Sequence, residues 1–128
     1  MQGKRIEVMS VSNYIKIKNG GIDARLDVFF YENDGFMIAF APALDLMGYG
    51  KTIDDAKASF EIVIEDFFDY SMENNTLNEY LLKQGWTKQV RRSAFVSPLP
   101  TDMIRRNKRF KDILNHKDFN KQSVPFTC

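Results

Sequence analysis

The chain has one cysteine, Cys128, one histidine, His116, one tryptophan and four prolines in 128 residues. A single thiol excludes a disulfide within the chain, and a reducing cytoplasm is the expected compartment. No run approaches the roughly 18 apolar residues of a membrane span, so no membrane contact is expected. The start, Met1-Gln2-Gly3-Lys4-Arg5-Ile6-Glu7, lacks the apolar stretch of a secretory signal. There is no repeat and no low-complexity segment.

What the chain does have is apolar mass and divided charge. Hydrophobic residues make up 44%, including 11 phenylalanines. A chain of this length buries roughly two-thirds of its unfolded surface, enough for one core. The net charge of +1 conceals a split: residues 1–82 hold 7 Lys/Arg against 14 Asp/Glu, and residues 83–128 hold 11 against 3. Either the two parts meet different partners, or they neutralise each other within the fold or across a dimer.

Residues 1–12 are mixed, a frayed end or an added edge strand. Asn13 to Lys18 alternates with period two and ends in turn chemistry at Asn19-Gly20-Gly21. Arg25 to Tyr31 is a second strand, with Leu26, Val28 and Phe30 on one face. Glu32-Asn33-Asp34-Gly35 makes a hairpin loop, Phe36 to Phe40 returns, and Pro42 ends that strand. Leu44 to Tyr49 pairs once more. Thr52 then caps a helix of about 20 residues, with Asp55 near capping-box spacing and Asp54 favourable to the dipole. Its stripe is Ile53, Ala56, Phe60, Val63, Ile64 and Phe67. Thr76-Leu77-Asn78-Glu79 opens a short helix that stops at Gly85. Trp86 to Val96 reads as the last strand. After the break Ser97-Pro98-Leu99-Pro100, a helical period runs through Met103, Ile104, Asn107, Phe110, Ile113 and Leu114. Val124-Pro125-Phe126 then suits an edge strand or a partner arm. The expected fold is α/β (α+β): a small, mainly antiparallel sheet of 3–4 strands on one long helix, in β-β-β-α-β order, plus a C-terminal helix. Residues 1–96 form the α/β domain, and 97–128 a basic helix and tail.

Catalytic patterns are scarce. Asp27, Asp34, Asp45, Asp54 and Asp55 are the candidates for carboxylate chemistry with two metal ions. Turn and cap duties account for Asp34, Asp54 and Asp55, however, and Asp27 falls among outward strand positions. His116 reads as an exposed helix-end residue, and Cys128 as part of a tail. Gly48-Tyr49-Gly50-Lys51-Thr52 lacks the first glycine of a phosphate loop, since position 45 is Asp, and Asp54 and Asp55 would repel phosphate. The expectation is a protein that is not an enzyme and carries no cofactor or metal.

One ordered block, running from Asp34 to Ala56, resembles the HicB family of antitoxins. The carrying residues are Asp34-Gly35-Phe36, Phe40-Ala41-Pro42-Ala43-Leu44 and Gly50-Lys51-Thr52-Ile53-Asp54-Asp55-Ala56, with Leu81-Leu82-Lys83-Gln84-Gly85-Trp86 further on. Gly35, Phe36, Pro42, Leu44, Gly50, Thr52, Asp55 and Ala56 form the fold signature within it. The resemblance spans roughly residues 24–90 and implies a truncated ribonuclease-H-like domain. It further implies a protein that binds and neutralises a small, basic, HicA-like toxin that cleaves mRNA, with operator DNA as a second partner of the C-terminal segment. Residues 97–128 show neither an obvious helix-turn-helix nor a ribbon-helix-helix pattern.

The sharpest signal outside that block is Arg105-Arg106-Asn107-Lys108-Arg109-Phe110-Lys111. Arg105, Arg106, Lys108, Arg109 and Lys111 are the nucleic-acid-contact candidates, since cations in such density suit a phosphate backbone. The bland reading is a solvated face in an oligomer contact, and a homodimer or higher oligomer is expected. The alternative function is a free-standing RNA-binding or regulatory module of the same fold, using Arg91, Arg92 and the 105–111 run.

Overall fold

A computed structural model describes residues 13–18 and 20–127. The expectations placed on residues 1–12, Asn19 and Cys128 lie outside them. The described chain runs β1 (Tyr14–Lys18), β2 (Gly21–Asn33), β3 (Phe36–Ala41), β4 (Leu46–Gly50), α1 (Ile53–Glu73) and α2 (Leu77–Lys83). It continues through β5 (Thr87–Gln89), a 3-10 turn (Val90–Arg92), β6 (Ala94–Val96), α3 (Pro100–Arg106), α4 (Lys108–His116) and β7 (Phe119–Thr127). All pairings are antiparallel.

The α+β class stands, but the expected sheet of 3–4 strands on one long helix does not. Among the described residues the sheet has seven strands, accompanied by four α-helices. Three local readings account for the difference. Trp86 to Val96 is not one strand: it breaks into β5 and β6 around the 3-10 turn, where Ser93 takes a left-handed φ of 50°. The C-terminal helical period is two helices, because Asn107 is extended (φ −127°, ψ 106°) and closes α3 while capping α4. Its Oδ1 accepts the Phe110 amide at 3.1 Å, a role Asn fills well. Finally, the tail, an expected edge strand or partner arm at Val124-Pro125-Phe126, forms a longer edge strand, β7, paired with β2 over nine positions.

β2 is the spine of the sheet. Arg25 pairs with Tyr14 of β1 and Pro125 of β7, whereas Phe29 pairs with Phe40 of β3 and Lys121 of β7. A strand has two edges, so β7 runs along one while β1 and β3 divide the other. Pro125 is tolerated because β7 is an outer strand that leaves one set of backbone groups unused. The hairpin between β2 and β3 turns at Asp34 (φ 52°) and Gly35 (φ 82°), both positive as a two-residue primed turn requires.

Successive strand residues point to opposite faces, and Phe29 and Phe30 show what each face meets. Phe30 is level with Ala39 and Gly48. A Cβ on Gly48 would lie 2.5 Å from the Phe60 backbone nitrogen, so α1 crosses directly over this face. Ala56, Phe60, Ile64 and Phe68 bury there. On the opposite face Phe29 meets Phe110 of α4 edge-on at 5.1 Å. The helices thus sandwich the sheet. β2 supports both layers, burying Ala24, Leu26, Val28 and Phe30 on the α1 side and Phe29 and Tyr31 on the other.

The signature residues hold the link between sheet and helix. Pro42 ends β3, Leu44 is fully buried, and Asp45 takes a φ of 56°. Two hydrogen bonds pin that turn from below: Trp86 Nε1 donates to the Ala43 carbonyl at 2.7 Å, and the Tyr80 hydroxyl to Leu44 at 2.6 Å. A Cβ at Gly50 would meet Asp55 Cβ at 2.5 Å and the Ala56 nitrogen at 2.7 Å, so glycine lets α1 start against β4. Thr52 caps α1, its hydroxyl accepting the Asp55 amide at 3.1 Å. The second expected capping box fails: Thr76 sits in helical backbone and makes no side-chain cap.

Candidate interaction surfaces

α1 turns seven carboxylates to solvent: Asp54, Asp55, Glu61, Glu65, Asp66, Asp69 and Glu73 are all exposed. None of them joins an ion pair among the described residues. Glu61, Glu65, Asp69 and Glu73 follow one another at four-residue spacing, the arrangement in which like charges repel along a helix. No basic residue occupies the last turn, where one would complement the helix dipole. Ile62 and Tyr70 stand on the same side, 64% and 67% exposed.

The opposite face carries the basic run, and the structure gives its members different work. Arg106 donates to the Lys83 carbonyl at 2.6 Å, satisfying a carbonyl left over at the end of α2. Arg109 lies 5.9 Å over the Phe40 ring and reaches Met47 Sδ at 3.3 Å. Arg105 pairs with Asp102 on its own helix at 3.3 Å. Lys108 and Lys111 are exposed and enter no ion pair among the described residues. Only these last two present charge with no structural duty. Arg109 also bears on Tyr31: burial pushes that phenol above its ordinary value, Arg109 opposes the push, and Asp112 adds to it.

A concavity lies beside this run. A cleft of ≈ 540 Å³ opens between α3 and the β5–β6 hairpin, lined by Thr87, Val96, Ser97, Pro98, Leu99, Asp102, Arg105, Arg106 and Gly85. The sequence pattern offered no sign of it, because it joins residues from three separate segments.

The carboxylates considered for metal chemistry are dispersed. Asp27 belongs to the sheet centre beside Asn13 and Lys121, Asp34 to the hairpin turn, and Asp54 and Asp55 to the first turn of α1. Asp45 accepts from Asn107 Nδ2 at 3.0 Å, tying α4 to the β3–β4 link. Among the described residues no group of three or more His, Cys, Asp or Glu gathers in a form able to hold a metal. His116 is exposed at the end of α4. No helix among the described residues is long and apolar enough to cross a membrane.

The fold and these surfaces define an α+β sandwich with an acidic helix on one face and a basic helical pair on the other. No family model, no curated protein and no solved structure matches the chain.

Proposed function

We propose that this chain is a HicB-like, antitoxin-type protein that works by stoichiometric binding rather than catalysis. It neutralises a small, basic, mRNA-cleaving toxin, and acts in the cytoplasm as a homodimer or higher oligomer. The observation that carries this reading is the placement of the two charge blocks on opposite faces of one sheet. Phe29 and Phe30 are consecutive, yet one meets α4 and the other faces the α1 layer, so the acidic and basic helices cannot neutralise each other within the fold. Each surface is left for a partner. Opposite charge on a toxin steers encounter with α1 and discriminates against wrong partners, contributing more to rate and specificity than to affinity. The signature turn from Pro42 to Thr52 supports the reading by setting where α1 lies.

The basic face gives the proposal its second half, contact with operator DNA or RNA through Lys108 and Lys111. The test is co-expression with the small basic protein encoded in the adjacent reading frame. Co-purification at fixed stoichiometry, with loss of that protein's RNA cleavage, is the expected result. A neighbouring product that neither co-purifies nor cleaves RNA overturns it.

A further inference from the structure

The cleft between α3 and the β5–β6 hairpin is where the basic part of the chain turns concave. Thr87 pairs with Val96 and Lys88 with Phe95, so Thr87 and Val96 share the face toward α3 while Lys88 lies over Phe95 on the other, 5.7 Å from its ring. Arg105 and Arg106 close the cleft from the helix side. Arg106 is fixed in place: one Nη is held by the Lys83 carbonyl, and a Cβ on Gly85 (φ +91°) would collide with its guanidinium. Glycine there is what lets the guanidinium rest on the backbone. Of the five N–H donors of a guanidinium, this carbonyl takes one. Arg105 contacts Asp102, an exposed pair (79% and 49%) of the kind that contributes little to stability. The remaining wall combines the apolar Val96, Pro98 and Leu99 with the polar Thr87 and Ser97, and Asp102 stands at the edge beside Arg105; Leu99 is 47% exposed.

Two guanidiniums beside an apolar shelf suit a planar-faced ligand with a compact, multiply charged anion. Guanidinium forks match phosphate oxygens, and a terminal phosphate monoester carries about −1.5 to −2 charges at neutral pH. An internal diester carries one and tracks along convex or grooved surfaces. We propose that this cleft is a site for a terminal phosphate, that of a single-stranded nucleic acid whose end nucleotide rests on Pro98 and Leu99. Arg106 is the preset donor. Arg105 swings from Asp102 to the ligand, and the Thr87 hydroxyl stands across the cleft. This deepens the nucleic-acid half of the reading above and is independent of any toxin.

The experiment compares binding of one short single-stranded RNA with a 5′-phosphate and with a 5′-hydroxyl, alongside inorganic phosphate. Amide shifts of Gly85, Thr87 and Ser97 report the cleft. The expected result is a preference of about tenfold for the phosphorylated end, in keeping with a charged hydrogen bond. Arg105→Gln abolishes that preference; the fold survives, since Arg105 is exposed and bonds only to its own helix. Lys108→Gln/Lys111→Gln lowers affinity for both RNAs and leaves their ratio intact. Shifts with inorganic phosphate and with neither RNA assign the site to free phosphate. RNA bound with no phosphate preference and no cleft shifts from any of the three overturns the cleft while leaving the nucleic-acid reading standing. If the protein binds neither RNA and phosphate moves no cleft amide, both fail.

Discussion

Asn13 fills the gap that β1 and β3 leave on the edge of β2: its Oδ1 accepts the Asp27 amide at 2.7 Å. Its backbone carbonyl accepts the Ser97 amide at 3.3 Å, so one buried residue, through side chain and main chain, joins β2 to the end of β6. Asn13→Ala removes that acceptor and should cost about 1–3 kcal/mol. Urea unfolding measures it, and a change below experimental error would show that water replaces the amide without loss.

The turn that carries the family resemblance depends on Tyr80 and Trp86. Tyr80→Phe should destabilise by about 1 kcal/mol at neutral pH, since it strips the Leu44 carbonyl of its donor. Burial raises the Tyr80 phenol from its ordinary 10.0, and Asp45 adds to this. A proton held more tightly in the folded state gives stability that is fully present below the unfolded value and lost as pH rises through the folded one. The wild-type protein should therefore lose stability above about pH 10 more steeply than Tyr80→Phe does. Thermal melts between neutral and alkaline pH compare the two.

Neutralising Arg105, Arg106 and Arg109 together is no clean test of nucleic-acid contact. Arg106 and Arg109 hold α2 and the Phe40–Met47 surface, so their loss would lower stability as well as charge. The informative variant is Lys108→Gln/Lys111→Gln. It should leave the melting temperature within about 1 °C, since surface changes away from such contacts shift stability little. It should reduce the salt slope of nucleic-acid binding by about 0.7–0.9 per lost phosphate contact. An unchanged slope would remove these lysines from the interface.

The unrelieved acid row on α1 makes opposite predictions for stability and for partner binding. Glu65→Lys turns two like-charge contacts, to Glu61 and Asp69, into attractive ones, and each should return about 0.2–0.5 kcal/mol. The free protein should melt higher while co-purification with a basic partner weakens, the signature of a face kept acidic for recognition. A variant that melts higher and binds equally well would place the partner elsewhere.

Asn107 ties three elements, closing α3, capping α4 and donating to Asp45. Asn107→Ala should cost about 1 kcal/mol from the cap alone, and Asn107→Asp should restore the cap but repel Asp45. Stability in the order wild type, then Asp, then Ala, measured at neutral pH, would give the cap more weight than the link; Ala above Asp would reverse that.

The sequence by itself determined the strands around the Asp34-Gly35 turn, the break at Pro42, the Thr52 cap and the length of α1. Each is set by local chemistry: positive φ, a missing donor, an oxygen facing free amides, a repeated apolar stripe. It also determined that charge is divided between the two parts of the chain. Tertiary structure decided the rest. The sequence left Val124-Pro125-Phe126 open as an edge strand or a partner arm; β7 is an edge strand because Val124 and Phe126 bury beside Leu26 and Ala24, partners far away in sequence. Asn107 looked like one more helical position until the capping of Phe110 and the bond to Asp45 divided the segment into α3 and α4. Arg106 and Arg109 were indistinguishable from Lys108 and Lys111 as charges, and only packing against Lys83, Phe40 and Met47 set them apart. Whether the acidic α1 and the basic α3 and α4 would pair was also undecided until the sheet came between them, because a strand sends consecutive residues to opposite faces; elsewhere the two parts do meet, as Lys83 with Glu79 and Lys121 with Asp27.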